Sequence, residues 1–94
     1  MTIFEYDPAK SATNKDKHGI DFDTAQELWA VSGVVLPSPF PGELRHLRVA
    51  LFEGRLWTAI YTHRGDTIRI ISVRRSRKTE ENQYGHQNPT DRPR

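Results

Sequence analysis

Residues 67–75, Thr-Ile-Arg-Ile-Ile-Ser-Val-Arg-Arg, set three arginines into a segment whose other residues favour a buried β-strand. Ile68, Ile70, Ile71 and Val73 are β-branched and fit a pleated surface, so the strand assignment is strong. Strict alternation predicts Ile68, Ile70, Ser72 and Arg74 on one face and Arg69, Ile71, Val73 and Arg75 on the other. Arginine enters a sheet at a cost unless a carboxylate or another anion meets it. One arginine is explained by a solvated strand end with surface ion pairs. Three together point to an anion site.

The rest of the chain gives that strand its setting. Ninety-four residues fit one domain with a modest core, and no cysteine is present to form a disulfide, a thiolate metal site or a thiol nucleophile. No apolar run approaches the ~20 residues of a membrane span, and the amino terminus lacks the pattern of a signal peptide. A cytoplasmic protein with no membrane association is expected. The net charge of +2 is unevenly spread: residues 1–42 carry three lysines against six carboxylates, and residues 43–94 carry eleven Lys and Arg against six. Arginine suits bidentate phosphate contact, which makes nucleic acid the first polyanionic partner to consider. An acidic protein partner fits the same charge.

Local signals predict an α+β order. A short strand at residues 3–6 is followed by Asp7 as N-cap and Pro8 at the first helical position, with the helix running to His18 and stopping at Gly19. Asp21 opens a second helix over residues 22–29. Val34–Leu36 is a strand candidate before the proline-rich loop 37–42. Residues 44–52, 56–62 and 67–75 then form an antiparallel meander, which the two earlier strand candidates can extend. A short helix over residues 76–84 closes a single domain of residues 1–84, and residues 85–94 read as a polar, disordered tail.

Phe4-Glu5-Tyr6-Asp7-Pro8-Ala9-Lys10, Asn14, Lys17-His18-Gly19-Ile20-Asp21-Phe22 and Ala25 form one block; Tyr61-Thr62, Arg64, Ile68-Arg69-Ile70-Ile71-Ser72, Arg74, Glu80 and Tyr84 form another. In this order, spanning about residues 3–84, they resemble the BrnT family of type II toxins. The resemblance implies a small fold similar to the RelE ribonucleases, RNA cleavage that stalls translation, and neutralisation by a BrnA-type antitoxin. Such an antitoxin is a DNA-binding dimer of ribbon-helix-helix type, so promoter DNA is reached only indirectly, through it. The chain departs from the family pattern at Leu44, where glutamate is usual, and at Phe52 and Val73, where glycine and alanine are common. The first departure removes a carboxylate from the region.

Metal-independent RNA cleavage needs a base for the 2′-hydroxyl, cations for the charge developing on phosphorus and an acid for the leaving 5′-oxygen. Arg64, Arg69, Arg74 and Arg75 supply cations, and Lys17 offers a further backbone contact. His18 is the first candidate for the base because imidazole titrates near neutrality, and His63 is the second. A histidine before a terminal glycine equally well serves the helix dipole. Glu80 and Tyr84, four apart on one helix face, offer an acid or a stacking surface; the plainer alternative is an exposed glutamate and an aromatic docked on the sheet. Trp29 and Trp57 read as core, and the scattered histidines lack metal-ligand spacing, so neither metal nor cofactor is expected. Arg69, between two isoleucines, demands a partner: Glu5 or another carboxylate, or a phosphate. A non-catalytic RNA- or ribosome-binding module and a basic protein-interaction domain remain competing functions.

Overall fold

The computed structural model describes residues 2–38, 42 and 44–87. Strand β1 (Ile3–Glu5) leads through the Asp7 N-cap into helix α1 (Pro8–His18), where Asp7 Oδ1 accepts the Ala9 N–H at 2.8 Å. Gly19, with φ of 82°, stops that helix and returns its N–H to the Lys15 carbonyl. Helix α2 (Phe22–Ala25) is capped by Asp21, which accepts from Thr24 N–H at 2.7 Å, and it tightens into a 3₁₀ turn over Gln26–Trp29. The predicted single helix over residues 22–29 is therefore split. Arg48 takes the Leu28 and Val31 carbonyls that emerge from the tightened turn, at 2.8 and 2.9 Å.

Strands β2 (Gly33–Pro37), β3 (His46–Phe52), β4 (Arg55–Arg64) and β5 (Thr67–Arg75) follow, and α3 (Lys78–Gln87) ends the described chain. Among the described residues the five strands form one twisted sheet in the order β1-β5-β4-β3-β2. All neighbours are antiparallel except β1 and β5, which run parallel with Glu5 beside Arg69. Both outer strand candidates thus join the meander. Helix α3 continues through Gln87, three residues beyond the expected domain end at Tyr84; the remainder of the predicted tail, 88–94, lies outside the described residues.

The predicted alternation along β5 fails at Ile71. Ser72 pairs with Ile60 and Ile70 with Tyr61, so Ile71 is an extra residue in a β-bulge. The bulge lets Ile68, Ile70 and Val73 all enter the core under α1 and α2, although alternation puts Val73 opposite the two isoleucines. It also turns Arg74 to the face of Thr58, and Arg75 back to that of Trp57. The larger core joins Phe22, Leu28, Trp57, Tyr61 and Ile70, with Ala50 and Ala59 leaving room for the rings. Both tryptophans belong there: Trp57 is buried within the cluster, and half-buried Trp29 packs on the cluster beside Phe4 and Tyr61.

A second, smaller cluster of Val34, Val49, Leu56 and Tyr84 lies between the sheet and α3. Helix α3 packs on β2 and β3, and the part of that sheet face formed by Thr62, Arg69 and Ile71 stays open.

Helix α1 is docked by polar contacts rather than an apolar stripe. Its buried residues are Ser11 and Asn14. Ser11 Oγ accepts the Phe22 N–H at 2.9 Å. Asn14 donates to the Ile20 and Val73 carbonyls, both at 2.8 Å, and accepts the Val73 N–H at 3.1 Å. Past the end of β1 no strand among the described residues lies beside the edge of β5, and Asn14 satisfies both backbone groups of Val73 there.

Candidate nucleic-acid interface

The parallel pairing of β1 with β5 sets Glu5 next to Arg69, the residue whose position in the sequence demanded a partner. Arg69 Nη1 donates to Glu5 Oε2 at 2.7 Å, and Arg64 Nη1 donates to the same oxygen at 3.0 Å. The Arg69 hydrogen bond outweighs partial burial and, helped by the charges of both arginines, holds the Glu5 carboxyl below the usual range. Oε1 of Glu5 has no hydrogen-bond partner among the described residues. Two cations on one carboxylate leave this cluster net positive.

Arg69 also lines a groove of about 530 Å³ on the open face of the sheet, with Lys10, Gly42, Leu44, Arg45, Thr62 and Ile71. Three of these residues are cationic, and Leu44, 82% exposed, and Ile71 supply apolar surface. The bulge explains why Ile71 points here beside Arg69 rather than into the core. Thr62 donates to the Leu44 carbonyl at 3.2 Å and ties the approach to β3 down onto β4. Guanidinium and ammonium groups beside apolar surface suit a phosphodiester backbone with its attached bases.

The remaining sequence-predicted residues divide into three groups. Arg74 and Glu80 meet each other: Nη1–Oε1 and Nη2–Oε2 are both 2.8 Å, and Glu80 also accepts from Thr58 Oγ1 at 2.9 Å and Arg77 N–H at 2.8 Å. Burial raises the Glu80 pKa, but these donors overcome it and hold the carboxyl at about 2. Both carboxylate oxygens of Glu80, whose spacing from Tyr84 suggested an acid, are engaged by these structural donors. It is not the exposed glutamate of the plainer alternative, because its whole residue is 6% exposed. Tyr84, at 1% exposed, is the aromatic docked on the sheet, and its ring has no surface for a base to stack on.

Arg75 lies on the face of the sheet that carries α1 and α2, opposite the groove, with its guanidinium 5.8 Å from the Trp57 ring centroid. His63 is on that side too, grouped with His46 and Tyr61 at ring separations of 5.4 and 5.6 Å. Lys17 and His18 are exposed at the carboxy-terminal end of α1. The eight-position separation of Lys10 and His18 corresponds to about 12 Å of helix. Arg64 and Arg69 are therefore brought together, Lys17 and His18 stand apart from them, and none of the groove-lining residues is a histidine.

Lys10, Arg45 and Thr62 were not singled out for chemistry from the sequence. Nothing local separates Lys10 from the other lysines of a polar helix; Arg45 follows a proline-rich segment of unpredictable path.

The model of the family described as "Ribonuclease toxin, BrnT, of type II toxin-antitoxin system" matches residues 6–80, most of the chain. The chain belongs to the BrnT family. No curated protein matches it. As a BrnT member it is a ribonuclease toxin, which implies RNA as substrate and an antitoxin as partner. The family match covers α1 through the first turn of α3, including Arg64, Arg69 and the Arg74–Glu80 pair. Glu5 and Tyr84 fall just outside it. Among the described residues of this BrnT chain no helix is long and apolar enough to cross a membrane.

Proposed function

We propose that this BrnT chain is a metal-independent endoribonuclease that cleaves RNA in the Arg69 groove, inhibits translation by doing so, and is neutralised by a BrnA-type antitoxin. It acts in the cytoplasm and reaches promoter DNA only through the antitoxin. The observation that carries the reading is the cationic groove on the open sheet face, lined by Arg69, whose guanidinium gives Nη1 to Glu5 and has Nε and Nη2 for a phosphate. Arg69 and Arg64 neutralise the charge that develops on the scissile phosphate, and Lys10 and Arg45 hold the adjoining backbone. Arg75 and Lys17 are more distant backbone contacts. Arg74, Glu80 and Tyr84 act by holding α3 on the sheet.

Incubation of the purified protein with RNA in EDTA, free and ribosome-bound, tests this reading. Cleaved fragments are expected, and Arg69→Ala lowers the rate by about 10²-fold or more. Intact RNA in both preparations overturns the function. Undiminished cleavage by the variant overturns the site.

A further inference from the structure

We infer that Glu5 is the general base of the reaction, taking the proton from the 2′-hydroxyl of the nucleotide whose phosphate Arg69 and Arg64 bind. This rests on the ribonuclease reading above. The geometry behind it is the division of labour between the two carboxylate oxygens. Oε2 accepts both guanidinium donors, at 2.7 and 3.0 Å, and Oε1 accepts no hydrogen bond among the described residues. The Glu5 side chain is 34% exposed, so solvent and substrate reach it. A base must lie within hydrogen-bond reach of the proton it removes, and a 2′-hydroxyl is adjacent to the phosphate that its oxygen attacks. A carboxylate already in contact with the phosphate-binding arginine meets that requirement. His18 lies at the carboxy-terminal end of α1, and His63, although next to Arg64 in the chain, pairs with Ile68 on the opposite face of the sheet from Arg69.

The step balances with no co-reactant. The O2′–H proton passes to the Glu5 carboxylate as O2′ forms a bond to phosphorus, and the P–O5′ bond breaks. The leaving 5′-oxygen takes a proton from water, the Glu5 carboxyl returns its proton to solvent, and the product carries a 2′,3′-cyclic phosphate. At neutral pH Glu5 is ionised, as an ordinary carboxyl is; the two arginines lower its basicity and carry the ionised form into more acid solution.

Glu5→Gln is the informative substitution, because the amide keeps an oxygen for Arg69 and Arg64 and loses the proton-accepting carboxylate. On the RNA that the wild type cuts, the variant's kcat is expected to fall by about 10²-fold or more. Its affinity for the same sequence with a 2′-deoxy nucleotide at the cleavage site should be unchanged or tighter, since an anion beside the phosphate is gone. The wild-type rate falls at acid pH as Glu5 becomes protonated, below the ordinary carboxylate range, and Glu5→Gln lacks that limb; circular dichroism at each pH establishes that both remain folded. Wild-type turnover by Glu5→Gln, a parallel loss of binding and cleavage, or a 3′-hydroxyl product end overturns the role of Glu5 and leaves the ribonuclease reading standing. If the wild type itself cuts neither free nor ribosome-bound RNA, both readings fall.

Discussion

Arg74 and Glu80 form a two-point ion pair that fastens α3 to β5, with both N–O distances at 2.8 Å and side-chain exposures of 18% and 7%. Glu80 is also the third residue of α3, where it takes the Arg77 N–H at the helix start. One carboxylate therefore serves the helix end, the β5 arginine and the β4 threonine. Arg74→Ala leaves Glu80 buried without its main counter-charge, and a loss of about 3 kcal/mol is expected in urea denaturation at pH 7.

The same pair makes stability depend on acid pH. The Glu80 pKa is about 2 in the folded chain against 4.5 for an unperturbed carboxyl. A depressed folded value means that the contribution is present above the unfolded pKa and lost as pH falls toward the folded one. Stability should therefore decline between about pH 5 and pH 2, by on the order of 3 kcal/mol from this group. Urea titrations across that range check the slope, and Glu80→Gln should flatten it.

Asn14 satisfies both backbone groups of Val73 at the edge of β5, and no apolar residue can do the same. Asn14→Leu leaves the Val73 N–H and the Val73 and Ile20 carbonyls without their partner. A loss of about 2–4 kcal/mol is expected from stranding these buried groups. Asn14→Asp keeps an acceptor but no donor and also destabilises. Hydrogen exchange at the Val73 amide reads the local effect directly.

Gly33 is required by a close approach between β2 and β3. A Cβ there would lie 2.8 Å from the Val49 carbonyl oxygen and 3.1 Å from Ala50 Cβ. Backbone cannot yield as a flexible side chain does, so Gly33→Ala should cost about 1–3 kcal/mol. A lower thermal midpoint with an unchanged far-ultraviolet spectrum is the expected outcome.

His18 and Lys10 separate two views of where RNA sits. If the groove is the site, His18→Ala keeps cleavage well short of the ~10²-fold loss that follows removal of a general base. Lys10→Ala weakens RNA binding and lowers the slope of log K against log salt by about one contact. The reverse pattern would move the site to the carboxy-terminal end of α1.

The sequence by itself determined the elements and their order. Asp7-Pro8 and Gly19 delimit α1 because capping and left-handed backbone are local steric matters, and the β-branched runs mark the strands for the same reason. The demand of Arg69 for an anion was equally legible, since a guanidinium between two isoleucines in a strand needs a partner. Glu5 was one candidate among other carboxylates and a phosphate, and the sequence could not choose, because Glu5 lies 64 residues away and only the parallel pairing of β1 with β5 joins them. The bulge at Ile71 was hidden for a related reason: it is a mismatch between two paired strands, and strict alternation along one strand carries no trace of it. That single extra residue lets Val73 enter the core and directs Arg74 toward Glu80. Asn14 looked like one more polar residue of a polar helix until the fold laid it against Val73, 59 residues on. Local preference set what each segment becomes. Long-range pairing decided which charge meets which, because register and burial exist only once the strands are side by side.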